Sequence, residues 1–238
     1  MDFYLIFIVI IMISFIQSIF GVGVLLFGTP ILLILGYDFA SLLTILLPIS
    51  LFINILQVVQ DKKHINLKYY KMLLLYSIPP IVLLLWLTVE LDLKTSLFIG
   101  LFLIVISLKS FSLQISKFIS TLFSYQKSFL FFQGAVHGLT NLGGSLLTSN
   151  VFALKLNKNQ TRATISVSYL TFAIFQLLTL VIIGKIQVIR IELITIGVLT
   201  YLVTNQFIYK KISNKIYNKM FAVFLFVSGL ILIVKEIY

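Results

Sequence analysis

The chain has 238 residues, of which 60% are hydrophobic and only 11% charged, with a mean hydropathy of +1.13. Soluble domains run nearer about 45–50% apolar and about 25% charged, so no water-soluble surface can be assembled from this composition. The formal charge of +11 sits in short loops between apolar runs, which points to membrane topology and not to nucleic acid. The sequence predicts a polytopic membrane protein, and the absence of cysteine excludes disulfides and thiolate chemistry.

Apolar runs cover 3–20, 24–36, 39–60, 69–88, 95–112, 128–140, 144–154, 163–184, 191–209 and 219–237. Helix is preferred to strand because a backbone facing lipid must satisfy its own hydrogen bonds, and the alternating segments of a barrel are not visible. The start Met1-Asp2-Phe3-Tyr4 lacks the basic stretch of a signal peptide. Runs 24–36 and 144–154 are too short to cross a bilayer as straight helices. Each follows an earlier run after a glycine break, Gly21-Val22-Gly23 in one case and Asn141-Leu142-Gly143-Gly144-Ser145 in the other. Each break is expected to be the tip of a hairpin that returns to its own side.

Charge then sets orientation. With the loop from Asp61 to Lys71 in the cytoplasm, only Lys94, Lys185, Arg190 and Lys235 fall outside among the bases. Asp2, Asp38, Glu90, Asp92, Glu192 and Glu236 collect on that external side. This is the bias of the positive-inside rule, and it puts both termini outside and the Lys-rich loops in the cytoplasm of a multi-pass cell-membrane protein.

The halves resemble one another. At an offset of 120 positions, Ser14 and Ser18 fall on Gly134 and Gly138, Gln17 on His137, Gly21 on Asn141 and Gly23 on Gly143. The sequence therefore predicts one all-α membrane domain of two inverted repeats, 1–112 and 128–238, joined by a cytoplasmic linker at 113–127. Each repeat holds one glycine-broken hairpin of short helices and three transmembrane helices. Interrupted segments at matching places mark transporters.

The second helix of each hairpin starts at its break with unpaired N–H groups and the positive end of its dipole. Two such ends facing each other near mid-membrane would hold an anion. The alternative is that the glycines serve only close helix packing. Neutral polar side chains inside the apolar runs extend the candidate site: Gln17, Asn54, His137, Thr140, Asn141, Ser145 and Gln176, with Gly21, Gly23, Gly143 and Gly144 at the breaks. Neutral donors bind an oxyanion without neutralising it fully, so release remains easy. His137 reads equally as an anion contact and as a hydrogen-bonding residue of the Gly134-x-x-x-Gly138 face. No acid lies at mid-membrane, and protease, P-loop and metal motifs are absent. The sequence gives no catalytic residue, metal ligand or cofactor.

The run from Ser18 through Gly21, Gly23 and Pro30, and the run Gly138-Leu-Thr-Asn141-Leu-Gly143-Gly144-Ser145, resemble the repeated glycine motif of the sulfite exporter TauE/SafE family. The segment Arg162-Ala163-Thr164-Ile165-Ser166 is similar to that family's recurring helix start. Val22 and Val24 stand within the first motif, and Asn150 stands where the family's second motif has proline. The resemblance implies a permease of small sulfur-containing anions, sulfite or organosulfonates, without enzymatic activity. Its partners would be the anion and the lipid bilayer. An anion channel on the same scaffold, or a non-transporting assembly partner, are the competing expectations. The oligomeric state is not legible.

Overall fold

The computed structural model describes residues 3–20, 23–93, 95–108, 125–154, 156–207 and 234. Among them every regular element is helical. In chain order these are α1 (Phe3–Phe20), α2 (Val24–Ile34), α3 (Phe39–Asp61), a 3-10 turn (Lys62–His64), α4 (Leu67–Tyr76) and α5 (Ile78–Glu90). There follow α6 (Thr95–Leu108), α7 (Gln126–Thr140), α8 (Gly144–Ala153), α9 (Lys158–Ile182) and α10 (Ile191–Phe207). The linker residues 113–124 and nearly all of the last apolar run lie outside the described residues.

Local chemistry starts these helices where polar residues can cap them. Asp38 accepts the Ser41 N–H at 2.9 Å before α3. Asn66 accepts the Tyr69 N–H at 3.1 Å before α4. Asn157 and Gln160 form a reciprocal capping box at α9. These caps sit at the ends of the stretches Phe39–His64, Leu67–Glu90 and Asn159–Ile182, which among the described residues are the three long and apolar enough to cross a membrane.

The run 69–88 differs from a plain crossing. It divides into α4 and α5 at Ser77, ahead of Pro79-Pro80. Two consecutive residues without an N–H leave carbonyls one turn back unpaired, and the helix bends. The Ser77 hydroxyl lies 2.9 Å from the Leu130 carbonyl and 3.0 Å from Gln133 Oε1, tying the bend to α7. Gly134 and Gly138 make that contact possible. A Cβ on Gly134 would meet the Ser77 carbonyl, and one on Gly138 would lie 2.8 Å from the Ile81 carbonyl. The small-residue face of α7 thus packs on α5.

α3 and α9 pack against each other through the centre. α1 packs on α10, α7 on α5, α10 on α3 and α5 on α9, with α2 beside α3 and α8 beside α9. The interior is rich in amides and hydroxyls, among them Gln17, Asn54, Gln57, Gln133, Asn141, Ser166 and Gln176. Leu83, Trp86, Phe98, Leu101, Phe131, Phe132 and Leu178 are exposed. Such a polar inside and apolar outside suits a lipid solvent, where exposed Leu and Phe cost nothing and polar groups must find partners inward.

Candidate functional site

The chain reverses at both glycine breaks, and it does so in the same way. A Cβ on Gly23 would stand 2.7 Å from the Gln17 backbone nitrogen and 3.1 Å from the Ile13 carbonyl. A Cβ on Gly143 would meet the Gln133 carbonyl and stand 2.7 Å from the His137 backbone nitrogen. Those partners lie six and ten residues upstream in each case. In a continuous helix a tenth neighbour is about 15 Å away along the axis. The second helix of each hairpin therefore folds back on the end of the first, and glycine is needed for the close approach. Gly21 lies outside the described residues.

At the first break Gln17 turns to the start of α2. Its Oε1 accepts the Val24 N–H at 2.8 Å. Its Nε2 lies 3.5 Å from Asn54 Oδ1 on α3, and Asn54 donates to Ser50 Oγ at 3.0 Å. At the second break Asn141 ends α7 in the left-handed region with φ 60°. Asparagine tolerates that backbone better than most residues. Thr140 Oγ1 donates to the Val136 carbonyl at 2.6 Å and accepts the Leu142 N–H at 3.1 Å. Ser145 Oγ donates to the Leu142 carbonyl at 2.9 Å.

A chain of side-chain hydrogen bonds then leaves the second break. His137 Nε2 pairs with Gln176 Oε1 at 3.2 Å. Gln176 Nε2 donates to Asn141 Oδ1 at 3.3 Å, and Asn141 Nδ2 donates to Thr29 Oγ1 at 2.9 Å. All four residues are buried. The chain joins α7 and α9 to α2, which belongs to the other half. The printed bonds gather His137, Asn141 and Gln176 into one network and Gln17 and Asn54 into another. Both networks end on α2, at Val24 and Thr29, about 7.5 Å apart along its axis.

Two residues at this place escape a reading of the sequence. Thr29 sits among apolar residues, and the one signal for it is its offset partner Ser149. Tyr169 is buried on α9, and a Cβ on Gly144 would strike its hydroxyl. Its ring end therefore lies against the start of α8. The spacing Ser166, Tyr169, Gln176 places it on the polar face of α9, a pattern visible in principle. The ring of His137 on α7 also packs 4.7 Å from that of Phe172 on α9.

Electrostatically the site is neutral. Among the described residues no Asp, Glu, Lys or Arg is buried, and no group of acids and histidines could hold a metal ion. The groups it offers are helix ends, amides, hydroxyls and the His137 imidazole.

A family model for the sulfite exporter TauE/SafE matches residues 6–232. The chain belongs to the TauE/SafE family. No curated protein and no solved structure matches it. Membership makes this TauE/SafE chain a membrane permease from a family of sulfur-anion exporters, a transporter family and not an enzyme family. The glycine motifs that suggested the family are the two reversals described above.

Proposed function

We propose that this TauE/SafE chain exports a small sulfur oxyanion, sulfite or an organosulfonate, by alternating access between two inverted repeats. The repeats are 1–112 and 128–238, joined by a cytoplasmic linker, with both termini outside. Two features support the repeat. Exchanging α1 for α7, α2 for α8, α3 for α9 and α5 for α10 converts the packing pairs into one another. The two breaks also share their upstream contacts. In this reading each hairpin is re-entrant, and α2 and α8 would begin near mid-membrane from opposite sides.

The observation that carries the function is that both break networks end on α2, with neutral donors and, among the described residues, no buried Asp, Glu, Lys or Arg. The anion would rest between the starts of α2 and α8, held by backbone N–H groups and by Gln17, Asn54, His137, Thr140, Asn141, Ser145 and Gln176. Gly21, Gly23, Gly143 and Gly144 bring the backbone close enough. Export follows from the membrane potential: expelling one negative charge from a negative interior gains about 2.3 kcal/mol per 100 mV, so no coupling ion is required.

The test is sulfite efflux from proteoliposomes. Saturable efflux with counterflow is expected of a carrier, and unsaturated currents would make the chain a channel. Asn141→Ala should lower efflux about tenfold, the equivalent of about 1.4 kcal/mol. Unchanged efflux in that variant removes the site from the second break.

A further inference from the structure

The central helices α3 and α9 are antiparallel, and each is clasped to the loop that follows the other. At one end the Asn66 N–H, just beyond α3, donates to Thr164 Oγ1 at 3.0 Å in the early turns of α9. At the other end Gln187, beyond α9, donates its N–H to Thr44 Oγ1 at 3.3 Å and its side chain to Ser41 Oγ in the early turns of α3. Both ends of the central pair are thus tied by hydrogen bonds.

An ion pair reinforces the first clasp. Beside Asn66, Arg162 Nε lies 2.7 Å from Asp61 Oδ2, and its terminal nitrogen donates to Gln60 Oε1 at 3.1 Å. The pair joins the end of α3 to the start of α9. At the Gln187 end Arg190 Nε lies 2.8 Å from Glu192 Oε1, two residues along the chain. Behind Arg162, Ser166 Oγ donates to the buried Gln57 Oε1 at 3.2 Å. Asp61, Gln57 and Asn54 follow one face of α3 at spacings of four and three. A polar seam therefore runs from the ion pair inward to Asn54 and the first break.

We propose that the Arg162–Asp61 pair is the gate on the Lys-rich face, and that the transported oxyanion opens it by taking the place of Asp61 on the Arg162 guanidinium. A guanidinium presents parallel N–H groups that fit a sulfite or sulfonate oxygen pair as they fit a carboxylate. The exchange leaves Asp61 free to swing into water. It loosens the tie between α3 and α9, so the Asn66–Thr164 clasp can part and the anion can pass to Gln57 and Asn54. Lys62, Lys63 and Lys68 beside the gate raise the local anion concentration. This inference rests on the carrier reading above.

The chain has no cysteine, so a single Ser166→Cys substitution supplies a thiol just behind the gate. Its labelling by a membrane-impermeant thiol reagent is measured in vesicles from each face. Sulfite should speed labelling from the Lys-rich face. Asp61→Asn should speed it about tenfold without sulfite and abolish the sulfite response, because the tie is already broken. The exchange Asp61→Arg with Arg162→Asp should restore slow labelling but not the response. Without the thiol, Arg162→Gln should raise the sulfite concentration for half-maximal efflux about tenfold. Labelling indifferent to both sulfite and Asp61→Asn overturns the gate. Labelling that responds to Asp61→Asn but not to sulfite or any other sulfur oxyanion, with no efflux, keeps the gate and overturns the anion reading instead.

Discussion

The two glycine breaks share a backbone and part in their chemistry. Gly23 and Gly143 each press against the residues six and ten positions upstream. Yet Gln17, six residues before Gly23, caps the first N–H of its own hairpin's second helix. Its counterpart His137, six residues before Gly143, turns away to Gln176 on α9. The first break is bonded mostly within its own half. The second reaches the other half through Asn141 and Thr29. Close packing fixes the hairpin, and the side chains one or two turns upstream decide what the helix start is bonded to.

The sharpest way to break this equivalence is to fill the two approaches. Gly143→Leu and Gly23→Leu each force a side chain into backbone, and overpacking of this kind costs about 1–3 kcal/mol or more. Both variants should lose most folded protein, read as a lower melting temperature in detergent, and efflux should fall below about a tenth of the wild-type value. Equal losses support one scaffold used twice. A silent Gly23→Leu would confine the function to the second break.

Next in size is Asn141, where backbone and side chain can be separated. Asn141→Gly keeps the left-handed backbone and loses the bonds to Thr29 and Gln176, each worth about 0.6 kcal/mol between membrane helices. Asn141→Ala loses both, and the left-handed conformation adds about 1–2 kcal/mol. Alanine should therefore unfold more readily than glycine in a denaturant titration, while efflux falls alike in the two. If glycine restores efflux, the side chain has no part in transport.

How far the sequence leads depends on the length of the signal. Breaks at 20–23 and 141–143 were legible because a glycine cluster interrupting an apolar run has few other uses in lipid, and the helices end and restart there. Asp38 caps α3 just before its apolar run, whereas α9 starts after Asn157, ahead of the apolar run at 163–184, because its first turn is polar. Hydropathy alone reads 69–88 as unbroken, although Pro79-Pro80 marks the bend at Ser77. Hydrogen-bond partners were not legible at all. Asn141 finds Thr29 across 112 positions, and which hydroxyl an amide meets depends on the packing of three helices. Tyr169 was missed because a tyrosine in an apolar helix looks like core until its hydroxyl is seen against Gly144.

Loss of the Gln17 cap is a smaller step. Gln17→Leu leaves the Val24 N–H without its acceptor, and a lost cap costs about 1 kcal/mol. The melting temperature should drop by less than in Asn141→Ala, with efflux reduced about threefold.

The finest comparison exchanges the chemistry of the breaks without touching the scaffold. His137→Gln installs at the second break the residue type found at the first. A glutamine amide can still donate to Gln176 Oε1, so stability should change by under about 0.6 kcal/mol and efflux by under about twofold. His137→Leu removes the donor and strands a buried amide oxygen, which costs about 1–3 kcal/mol. A clear gap between the two variants identifies the hydrogen bond to Gln176 as what His137 contributes. If glutamine fails as badly as leucine, the imidazole itself matters, through its tilted contact with Phe172 or its second nitrogen, and the two breaks are then less interchangeable than their shared backbone implies.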